Sequence, residues 1–169
     1  MDLDARRHVD EREQLLAHPE RYPGLRPLPS PSVRLWRYPA FQTWASWSLH
    51  HDRRADELWL RRITSGPSRE EPAVLGHWGA EARLELTQLH ALERELTAIR
   101  VPALVSPDRF GLDGTMSGIS AGPYVARTCF EWWCDAPPAF AELQRWHARA
   151  RELFEVALPE WSAMPWTEG

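Results

Sequence analysis

Lysine is absent from this chain of 169 residues, so all 20 basic residues are arginine. Its absence excludes Schiff-base chemistry through a lysine and the lysine of a Walker phosphate loop. The 24 acidic residues leave a formal net charge of −4, and the chain has no surplus of positive charge to attract nucleic acid or anionic lipid. We therefore expect neither a nucleic-acid partner nor a membrane partner.

Cysteine is scarce, with only Cys129 and Cys134 in the chain. On one predicted strand these two residues are separated by roughly 16 Å at about 3.3 Å per residue, which is too far for a disulfide. Unless a sharp turn precedes Cys134, we expect two free thiols, which suit a reducing compartment. Long apolar runs are also missing, and residues 1–17 lack the apolar core of a signal peptide. These features predict a cytoplasmic protein.

The apolar periodicity predicts an α+β fold. Alternating residues favour strands over 33–38, 42–50, 57–63, 76–86, 116–120 and 124–133, with a helix as the alternative over 76–86 and a loop over 64–72. Apolar stripes predict helices over 88–99, with Thr87 as the N-cap, and over 138–157, with Asp135 as the N-cap. We expect an antiparallel sheet of about five or six strands with both amphipathic helices packed on one face.

The predicted organisation has three parts. Residues 1–32 contain an N-terminal helix over 2–18 and a proline-rich arm, residues 33–158 form a single α+β domain, and residues 159–169 form a tail. The arm cannot be helical because it contains Pro19, Pro23, Pro27, Pro29 and Pro31. It is either a linker or a strap across the core.

Residues with catalytic potential form no recognised motif, so we predict no metal site and no cofactor. His50 and His51 are adjacent on a predicted strand and must point to opposite faces, which prevents both from joining one metal site. A polar pocket near Asp113, Thr115, Arg127 and Glu131 is the alternative prediction, which would suit a small enzyme or a ligand-binding protein.

Tryptophan is unusually abundant, with 10 residues in the chain. One sheet-on-helix core can bury some of these side chains, but not all of them beside the arginines. Because tryptophan and arginine are enriched at binding hot spots, the surplus predicts a protein interface. The expected partner-binding residues are Trp44, Trp47, Arg61, Arg127, Glu131 and Trp133. A second buried layer, made by the proline-rich arm or by a dimer partner, is the alternative.

Several short motifs between residues 33 and 158 resemble those of a family of small uncharacterised bacterial proteins that are similar to immunity proteins. The motifs are Tyr-Pro-Ala-Phe at 38–41, Ser46 with Trp47, LRRI at 60–63, GLDGT at 111–115 with Gly118, Trp132 and Trp133 followed by Pro137 and Pro138, and Trp146 with His147. The resemblance implies a companion of a bacterial toxin system and carries no catalytic residue. The expected function is therefore that of a non-enzymatic inhibitor which occludes a cognate toxin. A structural subunit that forms a homodimer is a third possibility.

Overall fold

The computed structural model describes residues 14–22, 24–67, 75–102, 113–122 and 124–158. Six strands form one antiparallel sheet in the order β4-β3-β2-β1-β5-β6. They are β1 (Val33–Pro39), β2 (Trp44–Asp52), β3 (Glu57–Pro67), β4 (Leu75–Leu84), β5 (Thr115–Ala121) and β6 (Thr128–Trp133). The sheet and its helices confirm the predicted α+β fold.

Both long helices, α1 (Leu86–Ala98) and α2 (Ala141–Ala157), pack on the same face of this sheet. The strand register creates that face, because Leu35 lies opposite Trp47 on β2 and opposite Ile119 on β5. These side chains share one buried cluster with Leu92 of α1 and Phe154 of α2. We call this side of the sheet the first face, and it holds the main hydrophobic core.

Polar contacts also hold the helices in place. Glu155 of α2 accepts a hydrogen bond from Trp47 Nε1 at 2.7 Å and forms an ion pair with Arg62 of β3. Arg149 of α2 forms an ion pair with Glu95 of α1. The C-terminal half of α2 is therefore tied to two strands and to the other helix.

Several predicted element boundaries were wrong. Residues 64–67, expected to be part of a loop, belong to β3, and Thr64 pairs with Trp78 of β4. The rest of that expected loop lies outside the described residues. Helix α1 begins at Leu86 with Glu85 as the N-cap, whose N–H donates to Gln88 Oε1 at 3.2 Å, so Thr87 is not the N-cap.

The last predicted strand and helix also begin later than expected. Tyr124–Ala126 is a 3-10 turn, and β6 starts only at Thr128. Pro138–Phe140 is another 3-10 turn, and the N-cap of α2 is Phe140 rather than Asp135. Pro137 and Pro138 are tolerated at this position, because the N–H groups of a first helical turn have no intrahelical partner.

The side of the sheet opposite the helices, here called the second face, is partly covered by the chain before β1. Residues 14–17 are helical, Pro19–Arg21 is a 3-10 turn, and residues 24–32 contain a turn at Gly24 but no helix or strand. Leu16 and Tyr22 form a second buried cluster with Ile63 of β3. We call the described residues between 16 and 32 the strap. Of the two expectations for the proline-rich arm, the structure shows the strap.

Some predicted segments lie outside the described residues. These are most of the N-terminal helix, the first two residues of GLDGT, and the tail with Trp161 and Trp166. None of the helices in the described part of the chain is long and apolar enough to cross a membrane.

Candidate functional site

The strap is bound to the second face by buried polar contacts as well as by apolar packing. Arg61 of β3 has no exposed surface, and its guanidinium donates to Pro19 O at 2.7 Å and to Arg26 O at 2.6 Å. The same guanidinium pairs with Glu81 at 2.7 Å, directly across the β3–β4 ladder. One buried cation therefore joins two points of the strap to two strands.

Other contacts extend this attachment along the strap. The Arg26 guanidinium lies 3.7 Å from the centre of the Trp59 ring, a cation–π contact. His50 Nδ1 lies 2.7 Å from Pro29 O. Gly79 of β4 is needed here, since a Cβ at this position would collide with Leu25 of the strap. The strap thus covers the second face over β2, β3 and β4.

Beside the strap, the other half of the second face forms an open aromatic cleft of about 550 Å³. Strands β1, β2, β5 and β6, the helical residues 14–17 and the turn after β1 supply its lining. The lining residues are Ala17, Arg34, Trp36, Tyr38, Ala40, Trp44, Met116, Glu131 and Trp133. A volume of this size is typical of ligand pockets, which are commonly aromatic with a few polar groups. We therefore take the aromatic cleft as the candidate site.

The strand alternation explains why these side chains meet. Arg34, Trp36 and Tyr38 alternate along β1 and point to the second face. In the β1–β5 register Tyr38 lies opposite Met116, and in the β5–β6 register Met116 lies opposite Trp133. Three neighbouring strands therefore place apolar side chains in one row across the cleft.

Stacking fixes the orientation of several cleft side chains. Tyr38 and Trp44 stack with ring centres 4.7 Å apart and an interplanar angle of 19°. The Arg34 guanidinium lies 4.7 Å from the centre of the Trp36 ring, and it donates to Ala17 O at 2.6 Å. Arg34 is therefore held by the strap on one side and by an indole face on the other.

The floor of the cleft depends on a glycine. Trp36 is 1% exposed, and its indole covers Gly118 so closely that a Cβ there would overlap the ring. Among the described residues, Trp36 Nε1 and Arg34 Nε are buried donors without a hydrogen-bond partner. Unsatisfied buried donors are uncommon in proteins, and here two of them belong to side chains that line one cleft.

Among the described residues, four titratable groups have shifted pKa values, and all lie outside the cleft lining; one of them is Tyr22, whose pKa burial raises to about 12. Burial lowers the pKa of His50 to about 4 and the pKa of His147 to about 4, against backbone hydrogen bonds that favour the charged form. Burial, and next the charge of Glu131, raises the pKa of the Cys129 thiol. Both histidines are therefore neutral at neutral pH, and Cys129 is a protonated thiol rather than a nucleophilic thiolate.

The structure brings together three of the six expected partner-binding residues. Trp44, Glu131 and Trp133 all line the aromatic cleft. Trp47 is 4% exposed in the core of the first face, and Arg61 lies beneath the strap. Neither of these two residues is available as an exposed contact, because each is used to hold the fold together.

The alternative polar pocket does not form as one site. Arg127 precedes β6 and donates to Pro31 O at 3.0 Å, whereas Asp113 and Thr115 lie at the opposite end of β5. The length of β5 separates the two ends by roughly 20 Å at about 3.3 Å per residue. Of the four residues only Glu131 lines the cleft.

Sequence reasoning missed Arg34, Trp36, Tyr38 and Met116 as members of the site. The alternation of Arg34, Trp36 and Tyr38 was visible in the sequence. The sequence did not show which half of the second face the strap leaves open. It also missed Phe41, which is 90% exposed in the turn after β1 and has a φ of 60°. A left-handed backbone conformation is costly for a bulky residue. The turn nevertheless holds Phe41 in it, with the ring exposed to solvent next to Ala40 of the cleft.

Within the described residues, no group of three or more histidine, cysteine, aspartate or glutamate side chains could hold a metal ion. His50 is buried on the second face, while His51 lies 3.7 Å from Asp56 at the next turn. Cys129 and Cys134 are free thiols, as predicted, and both are exposed. Cys134 lies one residue beyond the end of β6, so the two cysteines do not share the strand as expected.

Comparison of the chain with protein-family models, with curated proteins and with solved structures found no match.

Proposed function

We propose that this chain is a non-enzymatic protein-binding module whose aromatic cleft receives an exposed segment of a cognate protein, and that this partner is a bacterial toxin held inactive by occlusion. The observation that supports the proposal best is the composition of the aromatic cleft, which lies on the half of the second face that the strap leaves open. Three tryptophans, one tyrosine and one methionine converge there with one arginine and one carboxylate.

The chemistry of the cleft suits a protein partner. Aromatic side chains and arginine dominate binding hot spots, because large rigid surfaces leave water at little cost in conformational entropy. The stacked side chains of Tyr38 and Trp44 are already ordered before a partner binds, so binding costs less of their conformational entropy. Glu131 is exposed at the rim and favours a partner segment that carries a positive charge.

Inhibition by occlusion requires no reacting group on this chain. A toxin segment inserted between Trp44 and Trp133 would be covered, and its neighbouring surface would be blocked by the rims of the cleft. Phe41 lies at the rim beside Ala40 and would add apolar contact there. The two free thiols support a reducing compartment, and we place the protein in the cytoplasm.

The test begins with capture of partners from a lysate of the native cells, followed by mass spectrometry and purification of any stoichiometric partner. Calorimetry then compares the wild type with Trp133→Ala and with Glu131→Ala. Because a hot-spot residue contributes about 2 kcal/mol or more, we expect Trp133→Ala to weaken binding by about thirtyfold.

Matched controls are available on α2. Val156 is 87% exposed and Glu152 is exposed, both away from the second face. Val156→Ala and Glu152→Ala should bind the partner as the wild type does. Equal affinity of the cleft variants and the controls would contradict the proposed site, and a partner whose toxicity persists at saturating amounts of this protein would contradict inhibition.

A second candidate function is the binding of a small aromatic molecule. The cleft volume of about 550 Å³ favours it, since this is the size of pockets that take drug-sized ligands. A small molecule that co-purifies with the wild type and is lost from Trp133→Ala, without a stoichiometric protein partner, would replace the first proposal by the second.

A further inference from the structure

The outer edge of β6 is the most exposed strand edge of the sheet. Thr128, Cys129 and Glu131 of this strand are exposed, whereas in β4, at the opposite edge, Arg83 is the only exposed residue among those described. A sheet edge presents free N–H and C=O groups, and proteins commonly protect it with proline, lysine or a bulge. Strand β6, with the sequence Thr-Cys-Phe-Glu-Trp-Trp, contains no proline and no lysine.

The backbone hydrogen bonds show which residues of β6 point outwards. Cys134 N donates to Thr115 O at 2.7 Å, at the end of the β5–β6 ladder. In an antiparallel pair the direction of the backbone groups alternates along each strand. Residues 128, 130 and 132 therefore bond to β5, and Cys129, Glu131 and Trp133 direct their backbone groups to the outer edge. The same alternation, carried one residue before the strand, gives Arg127 the outward direction.

The charges beside this edge allow two identical copies of it to pair, because a positive residue of one copy can oppose a negative residue of the other. In an antiparallel pair of two identical strands, the numbers of opposing residues have a constant sum. When Cys129 opposes itself, Arg127 of each copy opposes Glu131 of the other, which gives two cross-strand ion pairs. With Phe130 on the axis, Cys129 would oppose Glu131 and no ion pair would form. With Glu131 opposing itself, two carboxylates would lie together, which is destabilising.

We propose that residues 127–131 pair with the same residues of a second copy of this chain, with Cys129 on the two-fold axis, so that the two six-stranded sheets join edge to edge. Arg127, Cys129 and Glu131 of each copy supply the outward backbone groups, so the pairing adds a hydrogen-bonded ladder to an edge at which no described strand pairs. The same contact is used by both copies, as a closed two-fold dimer requires.

This pairing also changes the aromatic cleft. The two-fold axis runs through the sheet from face to face, so the second faces of both copies lie on the same side. Arg127 of the second copy would then stand beside Glu131 at the rim of each cleft. The dimer does not depend on the proposed toxin partner, and it would present two clefts on one surface.

The first experiment measures the mass of the full chain by light scattering and sedimentation across a wide range of concentration. A contact of one strand edge is at the small end of specific interfaces, so we expect the mass to rise from 19.6 kDa towards twice that value as concentration increases. A monomer at the highest soluble concentration would overturn the proposal.

Charge exchange tests the register. Glu131→Arg places two arginines opposite each other, and Arg127→Glu places two glutamates opposite each other, so each variant should remain monomeric. The double variant Arg127→Glu with Glu131→Arg restores both pairs and should dimerise again. Dimers that persist in both single variants would overturn the register and with it the proposal.

A short bifunctional maleimide gives an independent measurement, because two copies of Cys129 would lie opposite each other at the axis. The wild type and Cys134→Ser should yield a covalent dimer, whereas Cys129→Ser should not. A dimer linked through Cys134 in Cys129→Ser, with none through Cys129 in Cys134→Ser, would show that another surface associates.

Discussion

Replacing Arg61 by methionine should release the strap and cost much of the stability of the fold. Arg61 has no exposed surface and donates to two strap carbonyl oxygens and to the Glu81 carboxylate at 2.6 to 2.7 Å. Methionine fills a similar volume but donates no hydrogen bond, so Pro19 O, Arg26 O and Glu81 lose this partner. Glu81 also pairs with Arg26 at 3.1 Å and is 18% exposed, which limits its loss.

Removing one member of a buried ion pair typically costs 3–5 kcal/mol, and the partial exposure of Glu81 places Arg61→Met near the lower end, at about 3 kcal/mol. This is a large fraction of the stability of about 5–15 kcal/mol that is usual for a domain. Urea unfolding followed by tryptophan fluorescence measures the change, and limited proteolysis within the strap should become faster.

Arg83→Met on β4 is the matched control. Arg83 is 62% exposed and pairs with Glu57 at 3.3 Å, and exposed pairs of this kind contribute about 0–1 kcal/mol. If Arg61→Met costs less than about 1 kcal/mol, or no more than Arg83→Met, Arg61 does not hold the strap in the manner argued above.

Three further predictions concern acid stability, the cleft floor and the exposed turn. Because His50 and His147 titrate at about 4 in the fold and at 6.5 when unfolded, the unfolded chain binds more protons between these values. Stability should fall as pH drops from 6.5 towards 4, by about 1.4 kcal/mol per pH unit for each histidine, and a flat urea midpoint over this window would contradict it. Gly118→Ala should cost about 1–3 kcal/mol, because the new methyl group overlaps the buried ring of Trp36; unchanged stability and unchanged tryptophan fluorescence would refute that packing. Phe41→Gly should raise stability by up to about 1 kcal/mol, since glycine accepts a φ of 60° without strain, while it weakens partner binding in calorimetry; a less stable variant would show that the exposed ring supports the fold.

Much of the fold could be predicted because its pattern is local. Alternation along 33–38 separates Leu35 from Trp36, and the structure places them on opposite faces of β1. The apolar stripe of α2 was readable for the same reason, since Leu143, Trp146 and Phe154 recur at helical spacing and are all buried. Boundaries were less accurate, because Thr64 and Ser65 join β3 only through pairing with β2 and β4.

The candidate site was predicted in part. Trp44, Glu131 and Trp133 were chosen from composition, and they meet because β2, β1, β5 and β6 are successive neighbours in the sheet. Arg61 could not be distinguished from Arg34 in the sequence, since both are arginines that alternate with apolar residues on a strand. The strap buries one and leaves the other beside an open cleft.

The sequence by itself determined the periodicities, and with them the strands, the helices and the side chains that share a face, because these depend on residues close together in the chain. Tertiary structure alone decided which half of the second face the strap covers. That choice rests on contacts such as those from Arg61 to Pro19 and Arg26, which join residues 42 and 35 positions apart in the chain. Contacts over such distances leave no local pattern, and they determine which tryptophans are core and which line the cleft.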